Sequence, residues 1–192
     1  MKKISWRDNL SIPNLLTLLR LIAIPFMAYI ILDTRGRTVQ GFWIFIAIWL
    51  TDALDGWIAR RFNQITPLGK VLDPLVDKIF HLTTAVTLHM SERLPLWVLL
   101  FLLIKDALLI IGGILLINKD VDFQAEMPGK IATVLFAAAF ASLFLIETNQ
   151  QIIVHLLFIP AAIMAIISFL VYLRSFLRIY PTLKNKEYEA DT

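Results

Sequence analysis

The chain has 192 residues, of which 58% are hydrophobic and 17% charged, with a mean hydropathy of +0.74 and a formal net charge of +3. A soluble domain is nearer half apolar and a quarter charged, so the apolar surplus points to a bilayer as the solvent. Zero cysteines exclude a disulfide framework, a thiolate zinc site and a cysteine nucleophile; the basic residues lie between apolar runs and form no domain of their own, which argues against nucleic acid and for loops facing an anionic leaflet.

Met1 to Leu10 mixes Lys2, Lys3 and Arg7 with Ile4, Trp6 and Leu10, which suits a short interfacial helix or a basic tail. Pro13 and Asn14 open the apolar run that follows, and no small-residue cleavage site ends it, so a cleaved leader is not expected. A spanning helix needs about 20 mostly apolar residues. Six segments qualify: Leu15 to Leu32, Gly41 to Arg61, Gly69 to His89, Leu96 to Ile117, the shorter Ile131 to Ile146, and Ile152 to Tyr172. Residues 179–192 read as a cytoplasmic tail. No repeat, low-complexity tract or long linker interrupts the chain, so the expectation is one all-α domain over 1–192, a polytopic six-helix bundle.

Loop charge sets the orientation. With the amino terminus inside, that side carries Lys2, Lys3, Arg7, Arg60, Arg61, Lys70, Lys78, Lys119, Lys130, Arg174, Arg178, Lys184 and Lys186, against Arg35, Arg37 and Arg93 outside. Thirteen against three places both termini in the cytoplasm, with the 60–69 and 118–129 loops.

Asp52, Asp55, Asp73 and Asp77 fall inside predicted spans, where each ionised group costs about 2.5–3.5 kcal/mol or more. Asp52, Asp55, Gly56 and Ala59 share one helical face, and so do Gly69, Asp73 and Asp77. The short turn around Asn63 to Pro67 makes the two helices antiparallel, so Asp55 stands level with Asp73 and Asp52 with Asp77. All four lie roughly 15 Å or less from the cytoplasmic end. The neighbouring cations Arg60, Lys70 and Lys78 are too few to pair four carboxylates. An all-oxygen cluster selects a hard cation, Mg²⁺ or Mn²⁺, and two such ions would nearly neutralise it. Gly56, Ala59 and Gly69 let a helix or a nucleotide approach the backbone, and Arg60 can reach a diphosphate. The same acidic face would also serve a divalent-cation carrier, although the broken midplane helices of carriers are missing.

The string Asp52-Ala-Leu-Asp55-Gly56-Trp-Ile-Ala59-Arg60, eight residues, Gly69-Lys-Val-Leu-Asp73-Pro-Leu-Val-Asp77 resembles the signature of the CDP-alcohol phosphotransferase family, with all eight defining positions at its spacing. Ile12-Pro-Asn-Leu-Leu-Thr-Leu-Leu-Arg20 resembles the amino-terminal segment of bacterial members. The resemblance implies a six-span enzyme that transfers a phosphatidyl group from CDP-diacylglycerol to an alcohol and releases CMP. It implies Asp52, Asp55, Asp73 and Asp77 as metal ligands and Asp77 also as the base. Pro13, Asn14, Thr17, Gly56, Ala59, Arg60, Thr66 and Gly69 would meet the CDP-lipid. Family members are commonly homodimers.

The acceptor is read from less. Lys130, in Pro128-Gly129-Lys130, lies where members often place a lysine that meets an acceptor phosphate. Lys105 and Asp106 sit mid-span, as a polar contact of the bundle or as part of the acceptor pocket. The expectation is glycerol 3-phosphate, giving phosphatidylglycerophosphate. The alternative is phosphatidylglycerol, because Lys105-Asp106 is close to the Arg-Asp pattern of the family's cardiolipin synthases and Ala132 stands where a second lysine is usual. His81, one turn beyond Asp77, reads as a core histidine or as a neighbour of the metal site. His89 and His155 lie at outer span ends with no specific role expected.

Overall fold

The computed structural model describes residues 12–62, 66, 68–116, 127–146 and 151–190. The regular structure among them is entirely helical: α1 Ile12–Asp33, α2 Val39–Arg61, α3 Gly69–Met90, α4 Leu96–Leu116, α5 Met127–Leu143 and α6 Gln151–Ala190. The interfacial helix expected over Met1 to Leu10 lies outside the described residues.

Three described helices are long and apolar enough to cross a membrane, Pro13–Asp33, Val39–Ile58 and Ile152–Arg174. The sequence expectation was six. In α3 the charges of Lys70, Asp73, Asp77 and Lys78 dilute the apolar run and α5 has only 17 residues, whereas α4 is itself an apolar helix of 21 residues. Four boundaries differ by three residues or more, among them the end of α5 at Leu143 in place of Ile146. Helix α1 begins at Ile12 and α5 at Met127, before the expected Leu15 and Ile131. In each, a proline, Pro13 or Pro128, sits in the first turn, where its missing N–H costs nothing. Helix α6 runs on to Ala190, past Pro181 and through the segment expected to be a tail.

Helix α1 packs along both α2 and α3, while α5 packs along α6. Contacts of α2 with α5 and of α3 with α4 join these groups. The core is aromatic: Phe45 stacks on Phe80 at 5.1 Å between ring centres and meets Phe144 at 5.7 Å and Phe140 at 6.3 Å. Such pairs add to plain area burial. Ile22, Phe26, Trp43 and Ile152 point outward instead, as side chains bathed in lipid do.

At the end of the bundle expected to face outside, Gly36 turns the chain with φ +70°, and a Cβ there would meet Arg93 Cδ at 2.5 Å. Arg93, counted in the sequence as a loop cation, is buried. It donates to the carbonyls of Leu143 and Ile146 and so satisfies the end of α5.

Candidate functional site

The polar residues gather at the opposite end, where α1, α2 and α3 meet. Three-residue spacing on α2 puts Asp52 and Asp55 on the face turned to α1. There Arg20 donates Nη1 to Asp52 Oδ1 and Nη2 to Asp55 Oδ2. Arg20 and Asp55 are almost fully buried, at 3% and 2% exposure, whereas Asp52 retains 38%. Asp52 lies within the electrostatic reach of Asp77, and Asp55 within that of Asp73 as well as Asp52. These are the level pairings that the antiparallel register requires. Arg20 also acts on Asp77, so one guanidinium serves much of the cluster.

Arg20 corrects the expectation that only Arg60, Lys70 and Lys78 stand near the carboxylates. The sequence contains the signal. The α1–α2 connection centres near residue 36, which lies midway between Arg20 and Asp52, so an antiparallel hairpin sets the two level. An arginine in mid-span also needs a partner in lipid.

A second network ties the start of α1 to the start of α3. The Asn14 side chain faces the Thr66 hydroxyl, with Nδ2 at 3.0 Å and Oδ1 at 3.1 Å. Thr66 Oγ1 accepts from the Gly69 N–H at 2.9 Å and so satisfies one of the open donors of α3. Thr17 donates to Asp73 Oδ1 at 2.7 Å. A Cβ on Gly69 would stand 2.7 Å from Asn14 Oδ1 and 3.0 Å from Thr66 Oγ1, so this crowded junction requires glycine. Pro13, Asn14, Thr17, Thr66 and Gly69, all predicted to meet the CDP-lipid, are thus buried together beside Asp73. Gly56 is half-buried on α2. The side chains of Ala59 and Arg60 lie outside what is described.

On the far side of α3, His81 Nδ1 lies 3.2 Å from Asp77 Oδ1 and 3.0 Å from the Asp77 carbonyl oxygen. Asp77 itself is 39% exposed. Beyond it, Lys105 Nζ lies 2.5 Å from Asp106 Oδ1 and Lys78 Nζ 3.5 Å from the same atom. Lys105 acts electrostatically on His81, so this charged group adjoins Asp77. Lys130 is exposed in the first turn of α5, and among the described residues no hydrogen bond or ion pair joins it to Lys105 or Asp77. His155 accepts from Trp97 Nε1 at 2.8 Å and stacks on its ring, far from the aspartates.

The fit of this donor set to a cation can be judged from its chemistry. Among the described residues, no three acidic or histidine side chains stand close enough together to hold a metal ion as they are. Each aspartate nevertheless commits one oxygen to a side-chain partner: Asp52 and Asp55 to Arg20, Asp73 to Thr17 and Asp77 to His81. Carboxylates oriented by hydrogen bonds in this way are hard oxygen donors of the kind a divalent ion takes. The residues fit.

A family model for CDP-alcohol phosphatidyltransferases matches residues 10–176. An Aquifex aeolicus protein named CDP-diacylglycerol–glycerol-3-phosphate 3-phosphatidyltransferase is 34% identical over 169 residues, covering 85% of this chain and 94% of that one. A Streptomyces coelicolor cardiolipin synthase (CMP-forming) is 40% identical over 148 residues, 74% of this chain and 69% of its own. A rat cardiolipin synthase (CMP-forming) is 35% identical over 107 residues, 55% of this chain and 35% of the rat protein.

Proposed function

The chain belongs to the CDP-alcohol phosphatidyltransferase family, and from that premise we propose that it is a multi-pass enzyme of the cell membrane that moves a phosphatidyl group from CDP-diacylglycerol to glycerol 3-phosphate, releasing CMP. The observation that carries the reading is the convergence of Asp52, Asp55, Asp73 and Asp77 at one end of an apolar bundle. A cation carrier would use such a cluster too, but this family is enzymatic.

Asp52, Asp55, Asp73 and Asp77 would hold Mg²⁺ or Mn²⁺, two ions by charge balance. Bound there, the metal supplies charge stabilisation to the diphosphate and to the oxygen that leaves with CMP. Asp77 takes the proton of the acceptor hydroxyl. It suits that task because it is open to an incoming alcohol and, unlike the equally open Asp52, is not bonded to Arg20, while Asp55 is both sealed and held by Arg20. The hydroxyl oxygen bonds to the phosphorus bearing diacylglycerol, and the bond from that phosphorus to the CMP oxygen breaks. Gly56, Ala59, Arg60 and the junction of Pro13, Asn14, Thr17, Thr66 and Gly69 form the CDP side. Lys105, beside Asp77, and Lys130, at the start of α5, form the acceptor side, where cations suit a phosphorylated alcohol.

A second acceptor, phosphatidylglycerol, is favoured by the Lys105-Asp106 pair, now seen as a contact at 2.5 Å, and by the likeness to cardiolipin synthases. Six spans, cytoplasmic termini, a cytoplasmic site and a homodimer complete the reading. The test is CMP release from CDP-diacylglycerol by purified protein in mixed micelles, with glycerol 3-phosphate, phosphatidylglycerol or neither added. Acceptor-dependent CMP release with labelled glycerol 3-phosphate entering lipid is the expected result. No CMP release with any acceptor refutes it.

A further inference from the structure

We propose that Arg20 is a positioning residue that fixes Asp52 and Asp55 for the divalent cation, an inference that rests on the reading of the aspartates as metal ligands. A lone basic residue in the middle of α1 has three possible tasks: neutralising the acidic cluster, holding the helices together, or orienting the carboxylates. The geometry favours the third. The two Nη groups of one guanidinium engage two different carboxylates, one oxygen of each. The Nε of Arg20 is buried and makes no hydrogen bond among the described residues, so the fork at the tip is what holds the side chain in place. A planar fork spanning two acceptors fixes the rotation of both, which a point charge does not do. Both carboxylates stand on one face of α2, Asp52 within the electrostatic reach of Asp77 and Asp55 within that of Asp73.

Thr17 on Asp73 and His81 on Asp77 repeat the pattern. Every aspartate of the cluster has a partner on one oxygen, and Arg20 provides two of these four holds. Such outer partners of metal ligands typically set metal affinity by about 10- to 100-fold.

The experiment compares wild type, Arg20→Lys and Arg20→Met in detergent. Mn²⁺ binding is measured by the loss of the free-ion paramagnetic resonance signal, with no lipid substrate present. Thermal melting in excess chelator is followed alongside. The lysine variant keeps the charge and loses the fork, so its melting temperature in chelator should stay near that of wild type while its Kd for Mn²⁺ rises about ten-fold or more. Arg20→Met should bind as weakly or more weakly. Should the methionine variant not fold, the lysine variant decides alone. Unchanged Mn²⁺ affinity in Arg20→Lys overturns the inference, and so does tighter binding in Arg20→Met, the result required if Arg20 is only a competing counter-charge. Wild type that binds no Mn²⁺ overturns the metal reading itself, and the inference with it.

Discussion

The hydroxyl of Thr17 lies 2.7 Å from Asp73 Oδ1 and 3.0 Å from the carbonyl oxygen of Pro13. It has one proton for two acceptors, and the nearer, a carboxylate, is the stronger. The contact joins α1 to α3 across 56 positions of sequence and leaves Asp73 held from one side. Thr17→Val keeps the shape and removes the donor. A hydrogen bond to a charged group contributes about 1.5–3 kcal/mol, so kcat/KM for the CDP-lipid should fall about ten-fold or more, while Thr17→Ser stays near wild type. Steady-state kinetics of CMP release check this. An unaffected valine variant would mean that Thr17 bonds only to its own helix.

Gly69 and Gly112 make a matched pair. A Cβ at Gly69 would press on Asn14 Oδ1 and Thr66 Oγ1, whereas at Gly112 nothing lies within 4 Å among the described residues. Gly112→Ala should leave melting unchanged or raise it slightly, since glycine in a helix costs roughly 0.5–1 kcal/mol relative to alanine. Gly69→Ala should lower the melting temperature and raise the KM for CDP-diacylglycerol, because Asn14 and Thr66 must both move. Equal behaviour of the two variants would show that the α1–α3 junction has slack.

How much of this was legible in the residues differs from place to place. The level pairing of Asp55 with Asp73 and of Asp52 with Asp77 followed from helical period and one short turn, both local properties. Arg20 was harder to place because its partners lie on another helix, and only the register of the α1–α2 hairpin reveals them. Arg93 was misjudged for a related reason. A cation beside a turn looks solvated until the end of α5 arrives with unsatisfied carbonyls. The start of α5 was set four residues late because Pro128 and Gly129 read as loop, although proline suits a first turn and a Cβ on Gly129 would stand 3.0 Å from Ser168 Oγ of α6. The role of each side chain in chemistry is a proposal that rests on family membership and geometry together.

Asp77 should separate from its neighbours kinetically. Asp77→Asn keeps size and an acceptor oxygen but cannot take a proton, so kcat should drop by about 10² or more with CDP-lipid affinity within a few-fold. Asp52→Asn should weaken Mn²⁺ and CDP-lipid binding as well. Excess chelator should abolish turnover, Mg²⁺ or Mn²⁺ should restore it, and Ca²⁺ should do so poorly, since it prefers longer bonds and more ligands. Normal turnover by Asp77→Asn would reassign the base.

The excess of loop cations on one side predicts a cytoplasmic α2–α3 connection, the topology proposed above. With zero native cysteines, single introduced ones report sidedness cleanly. Gly36 is unsuitable as the outer probe, because its φ of +70° and the nearby Arg93 would strain any side chain. Gln40, exposed in the first turn of α2, serves instead. In intact cells an impermeant thiol reagent should label Gln40→Cys and spare Asn63→Cys. The reverse pattern would invert the topology.

The acceptor is tested through its two lysines. Lys105 is already engaged by Asp106, which also draws Lys78, so its charge is partly spent inside the bundle. Lys130 is exposed and, among the described residues, makes no contact with that group, so it can turn toward a ligand at small cost. Free glycerol 3-phosphate is a dianion near neutral pH, whereas phosphatidylglycerol carries a single diester charge and is held largely by its acyl chains. Loss of a lysine should therefore penalise the first far more than the second. Lys130→Ala should raise the KM for glycerol 3-phosphate about ten-fold or more with little change in kcat, as removal of a charged contact of about 1.5–3 kcal/mol requires. Lys105→Ala should lower stability as well, because Asp106 then keeps only the longer contact with Lys78 at 3.5 Å. If phosphatidylglycerol alone yields product and Lys130→Ala leaves that rate unchanged, the acceptor is the lipid and the product cardiolipin, while the roles of the four aspartates stand.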